Sequence, residues 1–312
     1  MSAPGLRELL ERPLEIEDFR SRALTQFFAP AFTRRTSELR LSTGEFAGYG
    51  EVSSYDADVH RALDAGPAPI QLPWRGTLAE WEAALSHLAC PEVRWALGTA
   101  ALELLLARDG LNWERAGLAD PLALRTVIST ELGRPPHPER LADHLARDPG
   151  AEFKLDFGPW TREQVERLSA VAGSQVAVLD FKRGRNGSSA FPVARLDALE
   201  LAFPRAWLED PAPHLWPACC DGDRRRRVSF EIHEPGQWHA LPCVPGALNL
   251  KPGRMGSFAA LLEACAWALE HRVQLYLGGD FEIGVGREQL RRLAAWLCPD
   301  GPNDLAWLGG RA

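Results

Sequence analysis

The sequence predicts an α/β protein in which a smaller α+β domain precedes a (β/α) barrel, and three features of the 312-residue chain carry that expectation. From about residue 120 onward, short apolar runs alternate with amphipathic stretches every ~20 to 30 residues, the rhythm of βα units around a parallel sheet. Ionisable side chains recur at the C-terminal ends of those runs. The first 120 residues lack this rhythm and read as a hairpin followed by helices. With 46% apolar and 25% charged residues, the chain can bury a core without disulfide staples and is neither a disordered nor a collagen-like polymer.

In the first domain, residues 34–41 form an extended segment, Ser42-Thr43-Gly44 a turn, and residues 47–52 the returning strand. Thr77-Leu78-Ala79-Glu80 is a capping box. Its hydroxyl and carboxylate satisfy backbone N–H groups that a helix start leaves unpaired, and Leu78, Trp81, Leu85 and Leu88 then share one face. A second helix follows Pro91, with Val93, Ala96, Leu97, Ala100, Leu104 and Leu105 at helical spacing, and ends near Asp109-Gly110. The apolar runs of the second domain are residues 152–156, 176–182, 206–209, 228–233, 247–251 and 273–279. Between them lie helical stretches at 161–172, opened by a Thr161/Gln164 box, and at 258–270 and 287–297.

The strand ends carry Lys154 and Asp156, Asp180 and Lys182, Glu209, Glu231 and His233, and Lys251. Isolated charges on buried strands are costly, so their recurrence at one end points to a shared polar site. In a closed barrel those ends form a ring, whereas an open doubly wound sheet places its ligand at one switch point, usually behind a glycine-rich turn that this sequence lacks. Asp180, Glu209 and Glu231, spaced by 29 and 22 residues, make an all-oxygen set suited to a hard divalent cation. Lys154 and Lys251 flank it. That combination fits removal of a proton beside a carboxylate, with the metal stabilising the resulting enediolate and a lysine carrying the proton.

Composition narrows the partners. The chain has 35 basic and 42 acidic side chains, a net charge of −7, which argues against a broad nucleic-acid surface. Only the run Arg224–Arg227 departs from this, and it reads as a solvated edge before a strand. No stretch approaches the roughly 18 apolar residues of a membrane span, and the charged N-terminal residues do not suggest export. Six cysteines without a CxxC pair or zinc spacing suit reduced thiols in the cytoplasm. The expected partner is a small-molecule carboxylate, with no nucleic acid and no membrane. A homo-oligomer is left open.

In motif order the chain resembles the enolase superfamily, specifically its muconate-lactonizing subgroup. Gly48-Tyr49-Gly50-Glu51-Val52 is similar to the family's capping-domain segment. Leu179-Asp180 is similar to its third-strand metal motif and Trp207-Leu208-Glu209-Asp210-Pro211 to its fourth-strand motif. Asn249-Leu250-Lys251-Pro252 with Met255-Gly256-Ser257 matches its sixth-strand lysine motif, and Leu277-Gly278-Gly279 with Phe281-Glu282 and Gly286 its seventh-strand segment. The resemblance implies a modified (β/α)8-type (TIM) barrel at residues 120–299 with an N-terminal α+β capping domain at 1–119, which the tail 300–312 joins. It implies Mg2+ as cofactor, held by Asp180, Glu209 and Glu231, with Lys154 and Lys251 as catalytic residues; Lys182 and Asp156, where the chain departs from the pattern, complete the candidate catalytic set. Lys251-Pro252 running into Met255-Gly256-Ser257, and Ala294-Ala295-Trp296-Leu297 before Pro299-Asp300, look most like o-succinylbenzoate synthases. A dipeptide epimerase or cycloisomerase of the same subgroup is the alternative.

Two departures stand out. The family carries Lys-x-Lys on the second strand, its second lysine transferring the proton, where this chain reads Lys154-Leu155-Asp156. The third-strand Asp-Ala-Asn becomes Asp180-Phe181-Lys182. These opposite changes on neighbouring strands are expected to be coupled, Lys182 either neutralising Asp156 or replacing the missing lysine as base. A chain that has lost that base and only binds a small anion is the non-catalytic alternative. On the fifth strand, Glu231 and His233 share a face, and either could be the third ligand, a carboxylate suiting Mg2+ better. Glu282 either orients a lysine or lies on a surface loop. Arg185, within 183–187, either reaches a substrate carboxylate or is solvated, and residues 44–55 of the cap are candidates to close over the barrel mouth.

Overall fold

The computed structural model describes residues 5–29, 32–66, 68–118, 124–130, 132–133, 135–185 and 187–305. The N-terminal part opens with α1 (Leu6–Leu10) and β1 (Pro13–Ile16), followed by β2 (Asp18–Ala29), β3 (Phe32–Thr43) and β4 (Phe46–Val52). Next come α2 (Ala57–Ala65), β5 (Trp74–Thr77), α3 (Leu78–Leu85) and α4 (Pro91–Arg108). β2, β3 and β4 form an antiparallel sheet, and β1 pairs with β5. The expected hairpin is β3–β4, its turn one residue later than the sequence suggested because Thr43 still pairs with Phe46, leaving Gly44 at φ 53°.

α4 packs against β4 because two glycines let the backbones touch. A Cβ on Gly48 would stand 2.1 Å from the Ala100 carbonyl oxygen, and one on Gly50 1.9 Å from that of Ala96. The Thr77/Glu80 box forms with both of its hydrogen bonds. Leu78, Trp81 and Leu85 are buried, as are all six residues placed on the apolar face of α4. A fully buried leucine of this kind contributes about 2 kcal/mol.

The barrel strands are β6 (Ile128–Thr130), β7 (Phe153–Asp156), β8 (Val176–Asp180), β9 (Trp207–Glu209), β10 (Val228–Ile232), β11 (Ala247–Leu250) and β12 (Gln274–Leu277). They form one parallel sheet in chain order. Among them lie α5 (Glu139–Arg147), α6 (Arg162–Ala172), α7 (Leu196–Ala202), α8 (Trp216–Cys219), α9 (Pro252–Met255), α10 (Phe258–His271) and, last, α11 (Val285–Leu297). The Thr161/Gln164 box opens α6 as expected.

β8 stops at Asp180, short of the expected Lys182, because Lys182 and Arg183 both take φ 51° and turn the chain away from the sheet. β11 ends at Leu250 because Pro252 starts α9. Among the described residues the sheet has seven strands, and Asn303 bridges to Thr126 and Asp304 to Gly278, so two residues join its two ends. The fully buried Asn303 side chain makes the joint. Its oxygen accepts from the Leu277 N–H at 2.8 Å, and its amide donates to the Arg125 and Cys298 carbonyls at 3.1 and 2.9 Å. Residues 303–304, assigned with the tail to the cap from sequence, thus lie in the barrel, where an asparagine amide supplies the ladder bonds a strand would have made. The end of that tail, 306–312, and the junction at 119–123 lie outside the described residues.

Candidate active site

Strand register brings the expected charges together. Asp156, Asp180, Glu209 and Ser229 share one rung of β7–β10, and Glu231, Asn249 and Tyr276 share the rung two residues further along β10–β12. By strand alternation all of these point to the same face, the inside of the curled sheet. Val127, Ala177, Val178, Ala247 and Tyr276 form a small apolar cluster separate from the main core.

Lys154 sits at the centre of the floor, 1% exposed. Its Nζ lies 2.6 Å from Glu209 Oε1, 3.3 Å from Asp180 Oδ2 and 3.4 Å from Asp304. Burial works against its charge, but Glu209, Asp180 and Asp304 outweigh burial and hold the ammonium well above the usual lysine range. The other Glu209 oxygen accepts from the Tyr276 hydroxyl and, at 3.3 Å, from the Asn249 amide.

Lys182 and Asp156 meet. The Lys182 Nζ is 2.5 Å from Asp180 Oδ2 and 3.1 Å from Asp156, and its backbone N–H donates to Asp180 Oδ1 at 2.9 Å. Burial opposes the charge on Lys182, yet Asp180 and Asp156 raise its pKa. Asp156 itself is the more open partner, with 55% of its side chain accessible.

On the opposite wall, Lys251 donates to the Gly279 carbonyl at 2.8 Å and lies 3.4 Å from Glu231 Oε2. Burial again opposes its charge, and Glu231 and Asp280 raise its pKa. Burial alone would raise Glu231, but Lys251, Lys154 and His233 bring it down to about 2. His233 lies just past β10, its Nε2 3.2 Å from Glu231 and its Nδ1 2.5 Å from Arg254, and burial brings it down to about 4, a neutral imidazole near pH 7. Arg254 also pairs with Asp280.

These groups surround a cavity of about 300 Å3 whose wall includes Lys154, Asp156, Asp180, Lys182, Glu231 and Lys251, together with Arg185 and the cap residue Tyr55. Of residues 44–55, Tyr55 is the one on this wall. Arg34, 3% exposed, lies 4.1 Å from the centre of the Tyr55 ring and donates to the carbonyls of Ser53 and Ser54 on the cap and of Asp280 and Phe281 on the barrel. Glu282 is neither on a surface loop nor beside a lysine. It is buried, accepting from Ser53 Oγ and the Asp280 N–H, and burial with Asp280 nearby pushes it up to about 7. Glu51 accepts the N–H groups of Ile283, Gly284 and Gly286. The seventh-strand loop is therefore the joint between cap and barrel.

The expected magnesium set can be tested on these contacts. Three carboxylates on adjacent strands are the right donors for a hard cation. Their arrangement does not fit one: among the described residues no group of three or more His, Cys, Asp and Glu side chains is disposed to hold a metal ion. Asp180, Glu209 and Glu231 do come to one place, but as ion-pair partners of Lys154, Lys182, Lys251 and Arg254.

Sequence reasoning missed several residues here. Asn249 was legible, two positions before Lys251 and hence on the same face. Tyr276 lies inside an apolar run, where an aromatic carries no polar signal, and Asp304 follows no apolar run. Arg34 and Arg254 carry no local signal, because their partners lie 19 or more residues away in the chain.

A capping domain on a curled parallel barrel, with charged groups gathered at the C-terminal strand ends, is the architecture shared with the solved structures similar to it in fold. The chain belongs to the DUF8230 family, whose N-terminal and C-terminal domain-of-unknown-function models match residues 7–116 and 120–309. The fold is similar to that of a dipeptide epimerase from Methylococcus capsulatus complexed with Mg and L-Arg-D-Lys, at 20% identity and a TM-score of 0.75, covering 94% of this chain and 90% of that one. A mandelate racemase/muconate lactonizing enzyme from Roseiflexus sp. is similar at 19% identity and a TM-score of 0.73, with 94% and 89% covered. The muconate lactonizing enzyme of Pseudomonas putida is similar at 15% and 0.67, with 93% and 87% covered. No curated protein matches the chain in sequence.

Proposed function

We propose that the chain is an enzyme that takes a small carboxylate into the barrel mouth and moves a proton on the carbon beside that carboxylate. The first reading is o-succinylbenzoate synthase-like dehydration of a cyclohexadiene carboxylate in menaquinone biosynthesis. The observation that carries the proposal is the meeting of Lys251, Lys182 and Asp156 on one small cavity above the buried Lys154, Asp180 and Glu209.

The three lysines are held charged by their carboxylates, so near neutral pH they donate and stabilise negative charge rather than accept protons. Asp156, at the position of the family's second lysine and open to the cavity, is left as the acceptor. It takes the proton as negative charge spreads onto the substrate carboxylate, which faces the Lys251 ammonium. The C–O bond then breaks, and Asp156 returns the proton to the departing hydroxyl on the same face. Water leaves and both side chains regain their starting charge.

Incubation with a panel of carboxylates, including the o-succinylbenzoate precursor, tests this by product formation and by uptake of solvent deuterium at the α-carbon. Epimerase or cycloisomerase chemistry is the second reading, supported by the fold neighbours, and would give exchange without loss of water. A magnesium-dependent version draws support from the donor types and from the Mg in the M. capsulatus epimerase, and requires Lys154 and Lys182 to leave the carboxylates. The non-catalytic alternative draws on the same charged lysines, and binding without exchange would favour it. A cytoplasmic setting and self-association belong to the same proposal. Among the described residues no helix is long and apolar enough to cross a membrane.

A further inference from the structure

We infer that this pocket works without a divalent cation, because Lys182, where the family resemblance expects a neutral amide, adds a second ammonium to that of Lys154 among its carboxylates. The inference concerns the pocket proposed for proton transfer but rests on its geometry, not on that activity.

The carboxylate oxygens are taken. Both oxygens of Asp180 accept from Lys182, one from the backbone N–H at 2.9 Å and one from Nζ at 2.5 Å. Glu209 accepts from Lys154 on one oxygen and from Tyr276 and Asn249 on the other. Glu231, one rung further along, faces Lys251 and Asn249 on one oxygen and His233 and Arg254 on the other.

A magnesium ion shared by Asp180 and Glu209 would need oxygens about 2.1 Å away. The Lys154 ammonium stands in that space, 2.6 Å from one carboxylate and 3.3 Å from the other. It has no easy exit, since its side chain is 2% exposed and its third neighbour, Asp304, holds it from the far side. Moving it away would bury an unpaired charge or drag it through the packed interior, at a cost of several kcal/mol.

Lys182 is the obstacle particular to this chain, and the sequence itself carries it. It stands where the family resemblance expects a neutral amide, its φ of 51° turns it back over Asp180, and Asp156 pins its far side at 3.1 Å.

The test uses the full-length protein and manganese or magnesium alone. After dialysis against EDTA, Mn2+ titration followed by electron paramagnetic resonance is expected to show less than about 0.1 bound ion per chain at ~1 mM, and ~10 mM MgCl2 to shift the melting temperature by under about 1 °C. Near-stoichiometric Mn2+ binding with a Kd below about 1 mM, or a rise of about 3 °C or more with magnesium, overturns the inference. Neither readout needs turnover. Metal binding with substrate exchange therefore sinks this inference alone, and absence of both sinks only the proposed reaction.

Discussion

The Lys182 ammonium lies 3.1 Å from the Asp156 carboxylate, so the two residues that depart from the motif pattern this sequence resembles are in direct contact. Either change alone would unbalance the barrel mouth. Asp156 without Lys182 adds a carboxylate to a site already rich in them, and Lys182 without Asp156 adds an ammonium near Lys154.

The contact is partly exposed, with 33% and 55% of the two side chains accessible, so its direct worth is small. Lys182→Met is expected to cost about 1–2 kcal/mol, nearly all through the buried Asp180, and Asp156→Asn less than about 0.5 kcal/mol. A double-mutant cycle by urea denaturation checks this, with a coupling expected below about 1 kcal/mol. A coupling above ~2 kcal/mol would mean that the pair, and not Asp180, anchors Lys182.

Lys154→Met should be far more damaging. It leaves Asp180 and Glu209 facing each other in the interior without the ammonium between them, a loss of about 3–5 kcal/mol. Equilibrium unfolding measures it directly, and a loss under ~1 kcal/mol contradicts the described role.

Arg34 ties cap to barrel through carbonyls on both sides, and its planar fork is what makes that possible. Arg34→Lys is therefore expected to loosen the joint, seen as faster proteolytic cleavage near the seventh-strand loop and a loss of about 2 kcal/mol. Equal protection in the variant would show that Glu51 and Glu282 hold the joint unaided.

Stability should depend on pH in two opposed ways. Glu231 lies below its ordinary value, at about 2, so its stabilisation is present above about pH 4.5 and lost as pH falls towards 2. Glu82 joins α3 to α10 by accepting the Phe258 and Ala259 N–H groups, and burial pushes it up to about 7. For a carboxyl raised in the fold, the favourable protonated form is present below about pH 4.5 and is lost as pH rises through 7. Melting temperature is thus expected to fall between pH 5 and 8, less steeply in Glu82→Gln. A flat profile in the wild type would show that Glu82 does not titrate in this range.

Much of this architecture was legible because it rests on local chemistry. The capping boxes at Thr77 and Thr161, the apolar face of α4 and the charged strand ends are all set by residues a few positions apart. β6 was missed because Ile128-Ser129-Thr130 has no apolar run, and the closure at Asn303 because a side-chain amide does the work of a strand. The charges of the site could be named from sequence, but which charge neutralises which depends on barrel curvature. Lys154 could be placed on its strand, yet its three carboxylate partners come from β8, β9 and the closing segment. Lys182 was read as the end of a strand, and its left-handed turn over Asp180 has no signature in Asp180-Phe181-Lys182.

Exchange of a substrate α-proton with deuterated solvent, followed by NMR in the wild type and in Lys251→Met, tests the central claim most directly. The account predicts exchange into at least one small carboxylate, falling by about 100-fold or more when the ammonium is removed. Exchange at equal rates in both proteins, or none in the wild type across the panel, would contradict it.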